Sequence, residues 1–143
     1  MTTSARDLMT VSAECAHVTE TLTDAARRMR DLNVGALPIC GEDNQLQGVI
    51  TDRDIIVKCV ADGADSTSTT VQDFVTGKPV TIGADDSTDA AIQTMQTYAV
   101  RRLPVIDGHD LIGMLSQADI AKGCNDEQVG ALVGAISASA SNN

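Results

Sequence analysis

Gly48-Val-Ile-Thr-Asp-Arg-Asp54 is the stretch that decides the fold. It reads as two pieces joined by a corner. Leu46, Gly48, Val49 and Ile50 make a short apolar run, long enough for one buried strand. After the corner, Ile55, Ile56, Cys59 and Val60 recur at i, i+1, i+4 and i+5, one apolar face of a helix, and Gly63 is placed to stop it. Residues 51–54 therefore sit where a strand hands over to a helix N-terminus. Free backbone N–H groups and the positive end of the helix dipole gather there, and phosphate is their usual guest. Thr51 can donate its hydroxyl to a phosphate oxygen, and Asp54 offers two acceptors, which suits a ribose diol. A plainer reading stands level with this one. An acidic first turn stabilises any helix, and Thr51 or Asp52 can simply cap it.

The chain repeats the stretch. Gly113-Met-Leu-Ser-Gln-Ala-Asp119 lies 65 positions on, and Thr51/Asp54 become Ser116/Asp119. Upstream the offset is 66: Ala5-Arg-Asp-Leu-Met9 answers Val71-Gln-Asp-Phe-Val75, and Val34-Gly-Ala-Leu-Pro-Ile39 answers Val100-Arg-Arg-Leu-Pro-Val105. Thr21 to Met29 answers Ser87 to Met95 at the same 66. The lost residue falls between Gly41-Glu-Asp-Asn-Gln45 and Asp107-Gly-His-Asp110, both turn-like. Loops tolerate a one-residue deletion and strands do not. Two such repeats are modules of one protein, too few for a solenoid.

Each copy reads alike. A short extended segment (around residues 14–17 or 80–83) precedes a helix whose stripe is Leu22, Ala25, Ala26, Met29 and Leu32, or Ala91, Ile92, Met95 and Tyr98. Thr21-x-x-Asp24 resembles a capping box. Then come a strand (36–40; 102–106), a turn, a second strand (46–51; 111–116) and the closing helix. The expectation is an α/β (α+β) protein, β-α-β-β-α twice. The repeats span 1–65 and 66–125, joined by a polar linker at 65–70. Residues 126–143 add an amphipathic helix with Val129, Leu132, Val133 and Ile136, and a frayed tail beyond Ser137.

Composition removes several functions. A chain of 143 residues with 43% hydrophobic content buries a real core. Its formal net charge of −10 repels nucleic acid and anionic lipid, and no basic stripe offsets it. Phe74 and Tyr98 are the aromatics, so stacking platforms for single strands are missing. No signal peptide or membrane-length apolar run is visible, so the expectation is a soluble cytoplasmic protein. No nucleophile–base pair, metal triad or acid–base carboxylate pair appears, so no enzyme is expected; Asp52 and Asp54, at i and i+2, point apart.

The β-α-β-β-α repeat, the Leu-Pro-Ile/Val strand and the Gly-x-x-Thr/Ser-x-x-Asp corner together resemble a tandem pair of CBS domains over roughly residues 5–125. The resemblance implies two repeats packed about a pseudo-twofold axis with two clefts that take adenosyl ligands: AMP, ADP, ATP or S-adenosylmethionine. No cofactor is required. Carried over, Asp54 and Asp119 bind ribose hydroxyls, and Thr51 and Ser116 touch ribose or phosphate. Arg53, Arg101 and Arg102 are the nearest phosphate partners. Gln117 and Ala118 stand where the first copy has Asp52 and Arg53, so the two clefts differ.

Four cysteines remain. Cys59 and Cys124 are equivalent by repeat; Cys15 and Cys40 have Thr81 and Ile106 in their places. Cys15 and Cys40 belong to neighbouring strands of one sheet, which makes a disulfide geometrically feasible. Four reduced thiols, and a metal site with His17, stay open beside it. Two functions are carried forward. One is an adenosyl sensor acting through its own homodimer or an unknown protein partner. The other is a stress- or hypoxia-related CBS dimer acting by protein interaction or thiol chemistry, without nucleotide.

Overall fold

The computed structural model describes residues 3–11, 14–41, 45–75, 79–124 and 126–137. Its elements run α1 (Ala5–Leu8), β1 (Thr10–Val11), β2 (Ala16–His17), α2 (Leu22–Leu32), β3 (Ala36–Cys40), β4 (Leu46–Thr51) and α3 (Asp52–Ile55). A π-helical turn (Ile56–Val60) and a 3-10 turn (Val71–Phe74) follow. Then come β5 (Ile82–Gly83), α4 (Thr88–Tyr98), β6 (Arg102–Asp107), β7 (Asp110–Ser116), α5 (Gln117–Gly123) and α6 (Asp126–Ser137). The expected β-α-β-β-α order is present twice. The part of the first hairpin turn over 42–44 and the tail beyond 137 lie outside the described residues.

Two compact units form. One is Glu14–Pro79; the other joins Met1–Ala13 to Val80–Asn143. Each repeat's opening segment thus packs with the other repeat's sheet, and hydrogen bonding explains it. The first N–H groups of a helix have no partner within it. In α2, Leu22 N–H donates to Thr69 O and Thr23 N–H to Ser66 O, while Asp24 N–H goes to the Thr21 hydroxyl. In α4, Thr88 N–H donates to Thr3 O and Ala90 N–H to the Ser87 hydroxyl. Thr3 and Thr69 are equivalent by repeat. The polar linker is therefore structured: Asp65 accepts from the Thr67 N–H and hydroxyl, which hold its carboxyl below the usual range.

The unit Glu14–Pro79 carries the sheet β2-β3-β4, with β2 parallel to β3 and β3 antiparallel to β4. Its core is Leu22, Ala25, Met29, Leu37, Ile39, Ile50, Ile55, Cys59 and Val71. The other unit carries the sheet β1-β7-β6-β5. Its core includes Ala91, Ile92, Met95, Leu103, Val105, Leu115, Ile120 and Leu132. The same register shift falls at Ile39/Cys40 and at Val105/Ile106. The shorter second hairpin turns through Gly108 at φ 65°, as its Asp-Gly dipeptide leads one to expect.

The helical stripes are narrower than the sequence suggests. Ala26, Leu32 and Tyr98 are exposed, Tyr98 by 60%. On the closing segment of the first repeat, Ile55 and Cys59 are buried while Ile56, Val57 and Val60 are not. A small sheet covers one side of a helix and leaves the next apolar residues to solvent or a partner. Leu32 and Tyr98 occupy equivalent places, just before α2 and α4 end at left-handed Asn33 and Ala99. The stripe of α6 reduces likewise: Leu132 is fully buried, Val133 is not, and the side chain of Ile136 lies outside the description.

Candidate functional site

Both corners form as reciprocal caps. In the first, the Asp54 N–H donates to Thr51 Oγ1 and the Thr51 N–H to Asp54 Oδ2, each at 3.0 Å. In the second, the Asp119 N–H donates to Ser116 Oγ at 3.1 Å and the Ser116 N–H to Asp119 Oδ2 at 3.0 Å. Strand-to-helix handover dictates this, because a Thr or Ser N-cap with an acid at the third helical position satisfies two orphan donors at once. Ser4 and Asp7 make a related cap on α1, so the geometry by itself requires no ligand.

What remains at each corner decides its chemistry. Thr51 and Ser116 accept through their hydroxyl oxygens and keep the hydroxyl hydrogen to donate. The cap itself takes one acceptor site of about four from Asp54 and from Asp119. The helices are short: α3 has 4 residues before the π turn and α5 has 7. Asp54 N–H and Asp119 N–H are also already taken, so a phosphate would rely on arginines more than on the helix dipole.

The two carboxylates have different third partners. Lys58 Nζ lies 3.4 Å from Asp54 Oδ1, one turn on. At the other corner the Thr10 hydroxyl donates to Asp119 Oδ1 at 3.2 Å, with Oδ2 at 3.4 Å. Neither partner was among the candidate residues. The i, i+4 spacing of Asp54 and Lys58 is a readable signal. Thr10 and Asp119 stand 109 positions apart, and nothing local announces them.

The arginines fall beside the corners by chain path. Arg53 is in the first corner itself. Arg102 pairs with Ser116 across β6 and β7, and the Gln117 N–H donates to Arg101 O. Arg101 Nε is buried without a hydrogen-bond partner among the described residues. Each predicted set is thus local to its own unit: Thr51, Arg53 and Asp54 in one, Arg101, Arg102, Ser116 and Asp119 in the other.

Cys15 and Cys40 are joined in a disulfide, with Cα atoms 5.6 Å apart. His17 lies opposite Cys40 in the sheet register. Arg28 Nη1 donates to Cys15 O at 2.8 Å, and Arg28 also pairs with Glu20. Cys59 is buried and points at Ala64 O. Burial and nearby Asp89 push the Cys124 thiol up, which leaves it a poor nucleophile. Among the described residues no three His, Cys, Asp or Glu side chains are placed to hold a metal ion, and no helix is long and apolar enough to cross a membrane.

A family profile described as CBS domain matches residues 5–60 and again residues 71–126. The chain belongs to the CBS-domain family. This CBS pair is 40% identical over 134 residues to hypoxic response protein 1 of Mycobacterium tuberculosis, covering 94% of each chain. It also superimposes on a crystal structure of hypoxic response protein I with two coordinated zinc ions. The TM-score is 0.76 and the identity 41%, covering 86% of this chain and all of the other. An inosine-5'-monophosphate dehydrogenase of Korarchaeum cryptofilum is 30% identical over 116 residues, 80% of this chain but only 22% of that enzyme. That likeness is confined to a fraction of the enzyme.

Proposed function

We propose that this CBS pair is a regulatory, non-catalytic module. Its corners bind an adenosyl ligand: AMP, ADP, ATP or S-adenosylmethionine. One observation carries the reading. Of the 10 Lys and Arg, Lys78 lies outside the described residues. Among the other nine, Arg6, Arg27, Arg28, Arg30 and Lys58 are ion-paired. The remaining four, Arg53, Arg101, Arg102 and Lys122, have no carboxylate partner among the described residues, in a chain of net charge −10, and the three arginines are the ones at or next to the corners by chain path. Cations left unpaired amid such an excess of carboxylates suit an incoming anion, and they stand beside the hydroxyl–carboxylate corners. A thermal-shift panel of the four ligands tests this. A ligand at about 100 times its dissociation constant raises stability by about 2.7 kcal/mol. No shift with any of them rejects the reading.

The corners are expected to be unequal. Asp54→Ala and Asp119→Ala each remove charge-assisted bonds to a ribose, worth roughly 1.5–3 kcal/mol, or about ten- to a hundredfold in affinity. Calorimetric titration of folded variants should show different losses for the two. Parent-like binding by both would dismiss the ribose role.

The module is proposed to signal through its own homodimer or an unidentified protein partner in the cytoplasm. Leu32, Ile56, Val57, Val60 and Tyr98 are exposed apolar side chains that a partner surface would cover. Light scattering should give a dimer, and a strict monomer at micromolar concentration would reject it.

A second reading rests on the disulfide, which only the first repeat has. A disulfide in a cytoplasmic protein is as a rule a redox-responsive element. A relative named for the hypoxic response fits a thiol-based role in stress, without nucleotide. Cys15 and Cys40 are spent on each other, and among the described residues no three-ligand group is formed.

A further inference from the structure

The N-terminal strand β1 lies on the outer edge of β7, with Thr10 opposite Met114 and Val11 opposite Gly113. It closes tightly on the glycine. A Cβ at Gly113 would meet Met9 Sδ and Thr10 O at 2.7 Å each, so the approach exists only because residue 113 has no side chain. At Gly48, the equivalent glycine, the nearest atom to such a Cβ is 3.5 Å away, an ordinary contact. From this position Thr10 donates its hydroxyl to Asp119, which also accepts from the Ser116 N–H. Both oxygens of the carboxylate are therefore engaged by the chain itself.

The strand is short and follows a firmly held segment. It is 2 residues long, and Val11 is 78% exposed. Just before it, α1 is anchored. Ala5 is fully buried, its N–H donates to Asp86 O, and Leu8 packs where a Cβ of Gly123 would be. A short edge strand on a fixed hinge can lift and return without unfolding its unit.

We propose that residues 9–11 are a latch over the Asp119 corner. The Thr10 hydroxyl occupies the carboxylate that a ribose diol would take, and ligand enters when the latch lifts. This rests on the adenosyl reading of that corner. The described partners of the two carboxylates differ in kind. Lys58 at Asp54 is a cation that an anionic ligand can keep nearby, whereas Thr10 must give up its acceptor. Thr76, at Thr10's place in the other repeat, lies outside the described residues.

The test uses AMP as probe in the full chain carrying Asp54→Ala, so that only the Asp119 corner is read. Thr10→Val keeps the strand preference and shape and removes the donor. It should tighten AMP binding about tenfold, while Thr10→Ser should bind like Thr10. Amide exchange at Thr10 and Val11 should quicken when AMP is added, with Leu115 unchanged. Equal affinity for Thr10 and Val overturns the latch and leaves the adenosyl reading standing. Weaker binding by Thr10→Val makes Thr10 a ligand contact and also overturns it. If Thr10→Ser tightens binding as Thr10→Val does, loosening of the strand is responsible and the hydroxyl is not. If neither protein binds AMP and Asp119→Ala changes nothing, the adenosyl reading of this corner has failed and the latch falls with it.

Discussion

Reducing the Cys15–Cys40 bond is expected to lower the stability of the unit Glu14–Pro79 by about 3 kcal/mol. The bridge spans a sequence separation of 25, and closing a loop of that length removes about that much free energy's worth of freedom from the unfolded chain. For a unit this small the melting temperature should fall by roughly 10 °C or more when reductant is added. Cys40→Ser should melt like the reduced parent and be indifferent to reductant. Intact mass provides a second readout. Alkylation under denaturing conditions without reductant should modify Cys59 and Cys124 and leave Cys15 and Cys40 linked. Four modified thiols, with a melting point that ignores reductant, would dispose of the bond. Some order should survive reduction, because Arg28 still holds the Cys15 carbonyl.

Leu115→Ala is expected to cost about 2–5 kcal/mol in the other unit. Leu115 sits on β7 directly opposite Leu103 on β6, and both are fully buried. Truncation removes apolar transfer energy and leaves a cavity that two central strands cannot close. Ile56→Ala, at a side chain 58% exposed, should change the stability of an isolated chain by no more than about 0.5 kcal/mol. Urea denaturation measures both. A parent-like midpoint for Leu115→Ala would mean that β7 shows its other face to the core, since a one-residue slip exchanges inward and outward side chains. A concentration-dependent cost for Ile56→Ala would place Ile56 in the dimer contact.

Much of this architecture is legible in the chain because it is local and said twice. Ser or Thr three residues before Asp suits a reciprocal cap where a strand hands over to a helix, and one forms at Thr51 and Ser116 alike. The Leu-Pro strands, the turns and the one-residue deletion follow from alternation and turn residues. Cys15 and Cys40 were readable as neighbours because a β-α-β unit places its first and second strands side by side.

By itself, then, the sequence determined the repeat, the order of elements, the caps and the placing of Arg53, Arg101 and Arg102 next to them. Each depends on separations of a few residues, or on a comparison of one copy with the other. Only the tertiary structure decided that residues 3–8 cap and cover the second repeat's helix and sheet while residues 66–74 serve the first. It alone decided that Leu32, Ile56, Val60 and Tyr98 stay uncovered, and that Thr10 reaches Asp119. The reason is physical. Closing a loop costs only slightly more as the loop lengthens, so chain separation barely favours one docking partner over another. Which edge or helix end receives a segment is set by unsatisfied N–H groups and open space beside glycines such as Gly113, and those exist only once the sheet has formed.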